Sequence, residues 1–166
     1  GSSEAAAWHL VLAGPAGHPD FRAAAQALGA RCHVLGPQPH ASMPALLAAV
    51  DAVPVPQFDV PFAQSQLPAK AIEAMAMARP VVATRVGDLP EILGEGERGW
   101  LIPPADSAAL ARALAEIAAA PDPAARRGGA ARTWFLREAS PAAIEQRLLT
   151  VIDEAARSTR PLVAAI

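Results

Sequence analysis

The run Ser65–Gln66–Leu67–Pro68–Ala69–Lys70–Ala71–Ile72–Glu73 gathers the residue types best placed for polar chemistry in this chain. Lys70 and Glu73 stand three apart, so on a helix they are surface neighbours. Leu67, Ala71, Ile72 and Met75 recur at helical spacing and are expected to face a sheet. Pro68 is expected in the first turn, where it removes no intrahelical donor. The amides of Ala69 and Lys70 and the hydroxyl of Ser65 then point outward, and a helix start of that kind holds anions. Glu73, one turn deeper, offers two oxygens that can accept from two vicinal hydroxyls. A phosphate beside a diol is what a nucleotide's ribose presents. A solvated Lys–Glu pair, worth a few tenths of a kcal/mol, accounts for the same spacing.

These residues need a scaffold, and the chain spells one. Trp8 to Ala13, Arg31 to Leu35, Ala52 to Val55, Pro80 to Thr84 and Gly99 to Ile102 are short, mostly aliphatic runs bounded by Gly or Pro, expected as buried parallel strands. Helical patterns lie between them: Pro19 to Leu28 with Gly29 as a left-handed stop, Met43 to Val50 behind Ser42, Pro68 to Ala78, and a short one after Asp88. Asp106 is expected to cap a helix that buries Leu110, Leu114 and Ile117. PDPAARRGG reads as a linker before a helix from Ala131 to Glu138. Ser140–Pro141 opens a last helix with Ile144, Leu148 and Val151 on one side.

This alternation predicts an α/β fold: a doubly wound, mostly parallel, Rossmann-like sheet forming one domain over residues 4–157, with 1–3 an expression remnant and 158–166 a tail. In such sheets ligands bind outside the carboxyl ends of the strands. Those ends are Gly14–Pro15–Ala16–Gly17, Gly36–Pro37–Gln38–Pro39–His40, and the long connection from Pro54 to Gln66, whose length points to function or mobility.

Composition narrows the classes. With 166 residues, 52% hydrophobic residues and a net charge of −2, the chain can bury its own core and has no basic face for nucleic acid. Arg126, Arg127 and Arg132 read as a solvated cluster. Cys32 has no partner for a disulfide and is expected as a small core hydrophobe, implying a reducing, cytoplasmic setting, with peripheral attachment at an inner membrane face as a variant. The histidines show no metal-ligand spacing, so no metal and no cofactor are expected. Asp88 and Glu91 suit capping of a helix start. The motifs of serine hydrolases, P-loop NTPases and dinucleotide-binding enzymes do not occur.

From Ser65 onward the chain resembles the C-terminal half of a GT-B fold glycosyltransferase of the retaining family 4, or "group 1", type. The resemblance rests on the Glu-Ala-Met-Ala helix with its Pro-Val-Val-Ala strand (Glu73 to Ala83), the Gly-x-x-Pro-Glu turn from Gly87 to Glu91, and Gly-x-Leu-x-Pro-Pro-x-Asp from Gly99 to Asp106. LVLAGPAG, CHVLGPQPHASMPALLAAVDAVPVP and REASPAAIEQRLLTVIDEA are similar to the strands before and the closing helix after, so the likeness covers about residues 8 to 155.

The resemblance implies that Glu73 is the second acid of a Glu-x7-Glu motif and holds the ribose. The first acid falls at Ser65, a shorter neutral hydroxyl, as in a variant subgroup with Pro-x-Lys before the glutamate. Pro68, Ala69 and Lys70 would face the phosphates, with Ser65 and Lys70 in the catalytic role. Gly36, Pro37 and Gln38 would support the base, and Gly14 would lie next to the diphosphate. The Gly-Arg and Lys-Gly cations that open the family's domain have no counterpart in GSSEAAAW, and the acceptor domain has none either.

The resemblance thus implies a donor-binding domain for a nucleotide sugar (UDP-, GDP- or ADP-linked). The complete enzyme would pass the sugar to an acceptor hydroxyl of a glycan, lipid or small molecule with retention, the acceptor held by an N-terminal domain. Leaving-group charge would be met by helix dipole, amides and cations. Alone the chain should not turn over, and it is open to homo-oligomer formation or domain swapping. Two rivals stand beside this: a degenerate transferase domain acting as a binding module, and a sugar-nucleotide epimerase on the same fold.

Overall fold

A computed structural model describes residues 8–15 and 19–157. Ala16, Gly17 and the two termini assigned from sequence lie outside the described residues. Chain contacts divide the protein into two compact units, Gly1–Leu46 and Leu47–Ile166.

The first unit is a strand, a helix and a second strand: β1 (Leu10–Ala13), α1 (Pro19–Leu28) and β2 (Cys32–Gly36). β1 and β2 pair in parallel from Leu10↔Cys32, with a register shift between Leu12 and Ala13. Gly29 ends α1 at φ +56°, the left-handed stop its position called for. Burial differs from expectation. Val11, Val34 and Leu35 are exposed, and Cys32 is half-buried, so these strands do not have the two covered faces that a continuous apolar run implies.

The second unit begins within α2 (Met43–Ala48) and continues through β3 (Val53–Val55), α3 (Pro61–Gln64), α4 (Ala69–Ala76), β4 (Val81–Thr84), α5 (Leu89–Ile92), β5 (Trp100–Ile102), α6 (Ser107–Ala119), α7 (Pro121–Glu138) and α8 (Pro141–Arg157). Its sheet runs β3–β4–β5, all parallel, with β4 in the middle and every β4 residue buried. Ala71, Ala74, Met75, Leu89 and Leu93 fill the core on one side, and Ala109, Ala113 and Ile117 of α6 pack with Val82, Trp100 and Ile102 in a second cluster. Parallel sheets with flanking helices make this a Rossmann-like α/β fold, as the sequence predicts. The described strands form two ladders, where one was expected.

Several local expectations are corrected. PDPAARRGG is not a linker but the first half of α7. Pro121 and Pro123 sit in its first turn, where no donor is lost. A Cβ at Gly128 would lie 2.3 Å from the Ala78 carbonyl oxygen, so this glycine permits a close helix crossing and does not break the helix. Two arginines read as solvated are engaged: Arg127 lies 4.1 Å over the Trp100 ring, and Arg132 donates to the Ala76 carbonyl at the end of α4. The buried stripe of α6 is Ala109, Ala113 and Ile117, with Leu110 and Leu114 only half-buried at its flanks. Asp106 caps α6 as expected, accepting from the Ala109 amide at 2.7 Å. Asp88 makes no side-chain cap, because its backbone is already helical (φ −82°, ψ −3°) and not extended as a capping residue's is. Ser140 caps α8, accepting from the Ala143 amide at 3.2 Å, yet Ile144, Leu148 and Val151 are all exposed.

Candidate functional site

Because β3, β4 and β5 are parallel and adjacent, their carboxyl ends at Val55, Thr84 and Ile102 share one rim. The long connection after β3 runs along it. Within that connection lies α3, a single turn missed from sequence because Pro61-Phe-Ala-Gln64 is too short to show a period. Gln64 fixes the connection: its amide nitrogen donates to Asp59 Oδ1 at 2.5 Å, and its Oε1 accepts from the Gly87 amide at 2.9 Å. Gly87 has φ +55°, and a Cβ there would meet the Gln64 carbonyl at 3.0 Å, so glycine is required twice over.

α4 starts one residue later than expected. Pro68 is the residue before the helix, extended at φ −68°, ψ 113°, and its carbonyl accepts from the Ala71 amide at 2.9 Å. Its φ is one a helix would accept, so it is ψ alone that keeps Pro68 outside the helix. The amides of Ala69 and Lys70 thus stand first in the helix, where no carbonyl of a preceding turn can accept from them. Ala71, Ala74 and Met75 are wholly buried, whereas Leu67, expected on the same face, is exposed because it precedes the helix. Ser65 is exposed, and its hydroxyl donates to the Phe62 carbonyl at 3.0 Å.

Lys70, the chain's single lysine, is exposed by accessible surface, yet burial of its ammonium pushes its pKa below the usual 10.5. Exposure governs the size of that effect, since water reaching the side chain screens it. Glu73 is half-buried one turn further along α4. The structure therefore sets Ser65, Pro68, Ala69, Lys70 and Glu73 on one loop-to-helix segment of the second unit.

In the first unit, Gly14 and Gly36 meet at the ends of β1 and β2: the Gly14 amide donates to the Gly36 carbonyl at 2.8 Å. Both have positive φ, +135° and +67°, with nothing near enough to crowd a side chain, so backbone conformation alone asks for glycine. Pro37 is exposed, and the Gln38 amide nitrogen folds back to the Leu35 carbonyl at 2.7 Å. Here His9 Nδ1 and His33 Nε2 lie 2.9 Å apart across the strands, a pairing that 24 residues of separation hides from sequence. Among the described residues no three His, Cys, Asp or Glu gather as metal ligands, and no helix is long and apolar enough to cross a membrane.

Sequence reasoning also missed Gln57 and Thr84. The Gln57 amide donates to Thr84 Oγ1 at 2.9 Å, tying the start of the connection to the end of β4. The length of the connection was the available signal; the partner, 27 residues away, had none.

Parallel strands whose carboxyl ends share one rim, with helices packed on both sides, define the class of Rossmann-like α/β domains. Comparison with known proteins narrows the class. The model of the "Glycosyl transferases group 1" family matches residues 2–120, and the chain belongs to that family. It is 38% identical over 114 residues to the D-inositol 3-phosphate glycosyltransferase of Corynebacterium glutamicum, covering 65% of this chain and 26% of that protein. It is 32% identical over 126 residues to the enzyme of the same name from Corynebacterium diphtheriae, covering 76% and 28%. The chain thus spans about a quarter of the length of these curated relatives. Among solved structures, sucrose-phosphate synthase from Thermosynechococcus elongatus superposes with a TM-score of 0.76 at 29% identity, over 90% of this chain and 39% of that one. Anabaena HepE, crystallised with UDP and glucose, superposes with a TM-score of 0.74 at 23% identity, over 88% and 40%. The fold is that of the C-terminal half of a GT-B glycosyltransferase.

Proposed function

We propose that residues 4–157 form the donor-binding domain of a glycosyltransferase that moves a sugar from a nucleotide sugar to an acceptor hydroxyl with retention. The observation that carries this is the start of α4: the unpaired first amides of Ala69 and Lys70, the lysine's charge, and Glu73 one turn along on the same helix. Amides and lysine suit a diphosphate, and the carboxylate suits the two ribose hydroxyls. UDP and glucose, with which HepE was crystallised, come to this chain as part of the proposal. So do Gly14, Gly36, Pro37 and Gln38 as supports for diphosphate and base, and an acceptor held by parts of the protein beyond this chain.

The Ser65 hydroxyl, committed to the Phe62 carbonyl, favours a second reading in which the domain has stopped engaging donor and serves as a binding module. Titration separates the two. UDP, GDP or ADP at millimolar concentration should give a calorimetric signal and shift the backbone amides from Ala69 to Glu73. Glu73→Gln should then weaken nucleoside diphosphate binding by about 1 to 2 kcal/mol, the loss expected when a charge-assisted bond becomes neutral. Silence from all three nucleotides removes the donor reading; an unchanged affinity in the variant removes Glu73 from the ribose.

A further inference from the structure

Every residue of α8 from Ile144 to Arg157 is exposed. Five of them are large and apolar: Ile144, Leu148, Leu149, Val151 and Ile152, each between 53% and 59% exposed. At helical spacing Ile144, Leu148, Val151 and Ile152 form one stripe, which Ala155 continues and Leu149 flanks. The five offer about 500 Å² of surface per copy, the upper end of what a monomer leaves open in one apolar patch. Two such stripes face to face would cover about 1,000 Å², the least that a specific protein interface needs.

The charges beside the stripe select what covers it. Arg147 and Glu154 stand two turns apart on the same flank, and their midpoint falls between Thr150 and Val151, close to the middle of the stripe itself. Two copies of α8 laid antiparallel about a twofold axis at that point would join stripe to stripe and set Arg147 of each against Glu154 of the other. A parallel pair would set the same flank against Ile152 and leave both charges unmatched. Arg147 already donates through Nη2 to the Glu138 carbonyl at 2.9 Å and to the Glu138 carboxylate, and a guanidinium has further donors for a second carboxylate. We infer that α8 is a self-association surface, on which a second copy of this chain docks antiparallel through the apolar stripe, with two symmetry-related Arg147–Glu154 contacts at its flank.

Sedimentation equilibrium of the 166-residue chain, from micromolar to millimolar concentration, tests this. A reversible monomer–dimer equilibrium is expected. Leu148→Glu, at an exposed position and with the far-UV circular dichroism unchanged, should weaken it about tenfold or more, because each copy would bury an unpaired charge. Glu154→Arg should weaken it about three- to tenfold, and adding Arg147→Glu should restore it. Direction is read by disulfide formation in a Cys32→Ser background. Val151→Cys, next to the axis, should oxidise to a covalent dimer, whereas Ile144→Cys, whose counterpart lies at the far end of the pair, should not. A monomer at every concentration, a dimer indifferent to Leu148→Glu, a double charge variant no better than Glu154→Arg, or cross-linking at both cysteines would overturn the assignment.

Discussion

β4 and β2 are both short aliphatic strands in parallel ladders, yet all four residues of β4 are buried while Val34 and Leu35 in β2 are exposed. The difference lies in what covers them. Among the described residues β4 has a strand on each side, with α4 and α5 packing in one cluster and α6 in the other, whereas β2 pairs with β1 along one edge. An apolar run in the sequence therefore records a capacity for burial; neighbours decide whether it is used. Stability in this chain should be concentrated around β4.

Met75→Ala would break that contrast most severely, since the side chain is fully buried in the cluster against β4: a loss of about 2 to 5 kcal/mol in urea unfolding is expected. Val34→Ala in β2 should cost less than about 1 kcal/mol. Equal losses would remove the contrast between the two strands.

The two adjacent glycines of α7 sharpen the point at a single crossing. Gly128→Ala drives a methyl into the Ala78 carbonyl and should destabilise by about 1 to 3 kcal/mol. Gly129→Ala, with nothing within 4 Å of its Cβ, should stabilise by about 0.5 to 1 kcal/mol through helix propensity. Thermal melts of the two variants should move in opposite directions.

The smallest effect is the titration of Lys70. Its folded pKa is depressed, so between that value and the unfolded 10.5 the unfolded chain binds more protons, and stability rises with pH across this alkaline window. Because Lys70 is the single lysine, amine labelling read by peptide mass separates it from the amino terminus. Its midpoint should lie lower in the folded chain than in urea, and a bound nucleoside diphosphate should raise it. A folded midpoint at or above the urea value would contradict the burial of its ammonium.

The strands were legible to within two residues, because β-branched runs between Gly and Pro leave few alternatives. Helix faces were harder. Alanine is both the commonest residue and a buried one, so the Ala109–Ala113–Ile117 stripe could not be told from its flanks, and the leucines stood out instead. Gly128 looked like a breaker since its reason for being small, the Ala78 carbonyl, is 50 residues away in sequence. The α4 segment could be read locally because helix spacing and proline chemistry are local; the Gln57–Thr84 tie could not.

Gln64 holds two neighbours of opposite demand. It must offer a proton at one end and a lone pair at the other, toward a carboxylate and an amide hydrogen respectively. Glutamate would satisfy Gly87 but repel Asp59, and lysine or arginine would satisfy Asp59 but have nothing to give Gly87. Only an uncharged, two-handed group of this length closes both latches at once, so a change of one atom at the surface would unfasten the connection after β3 without touching the core.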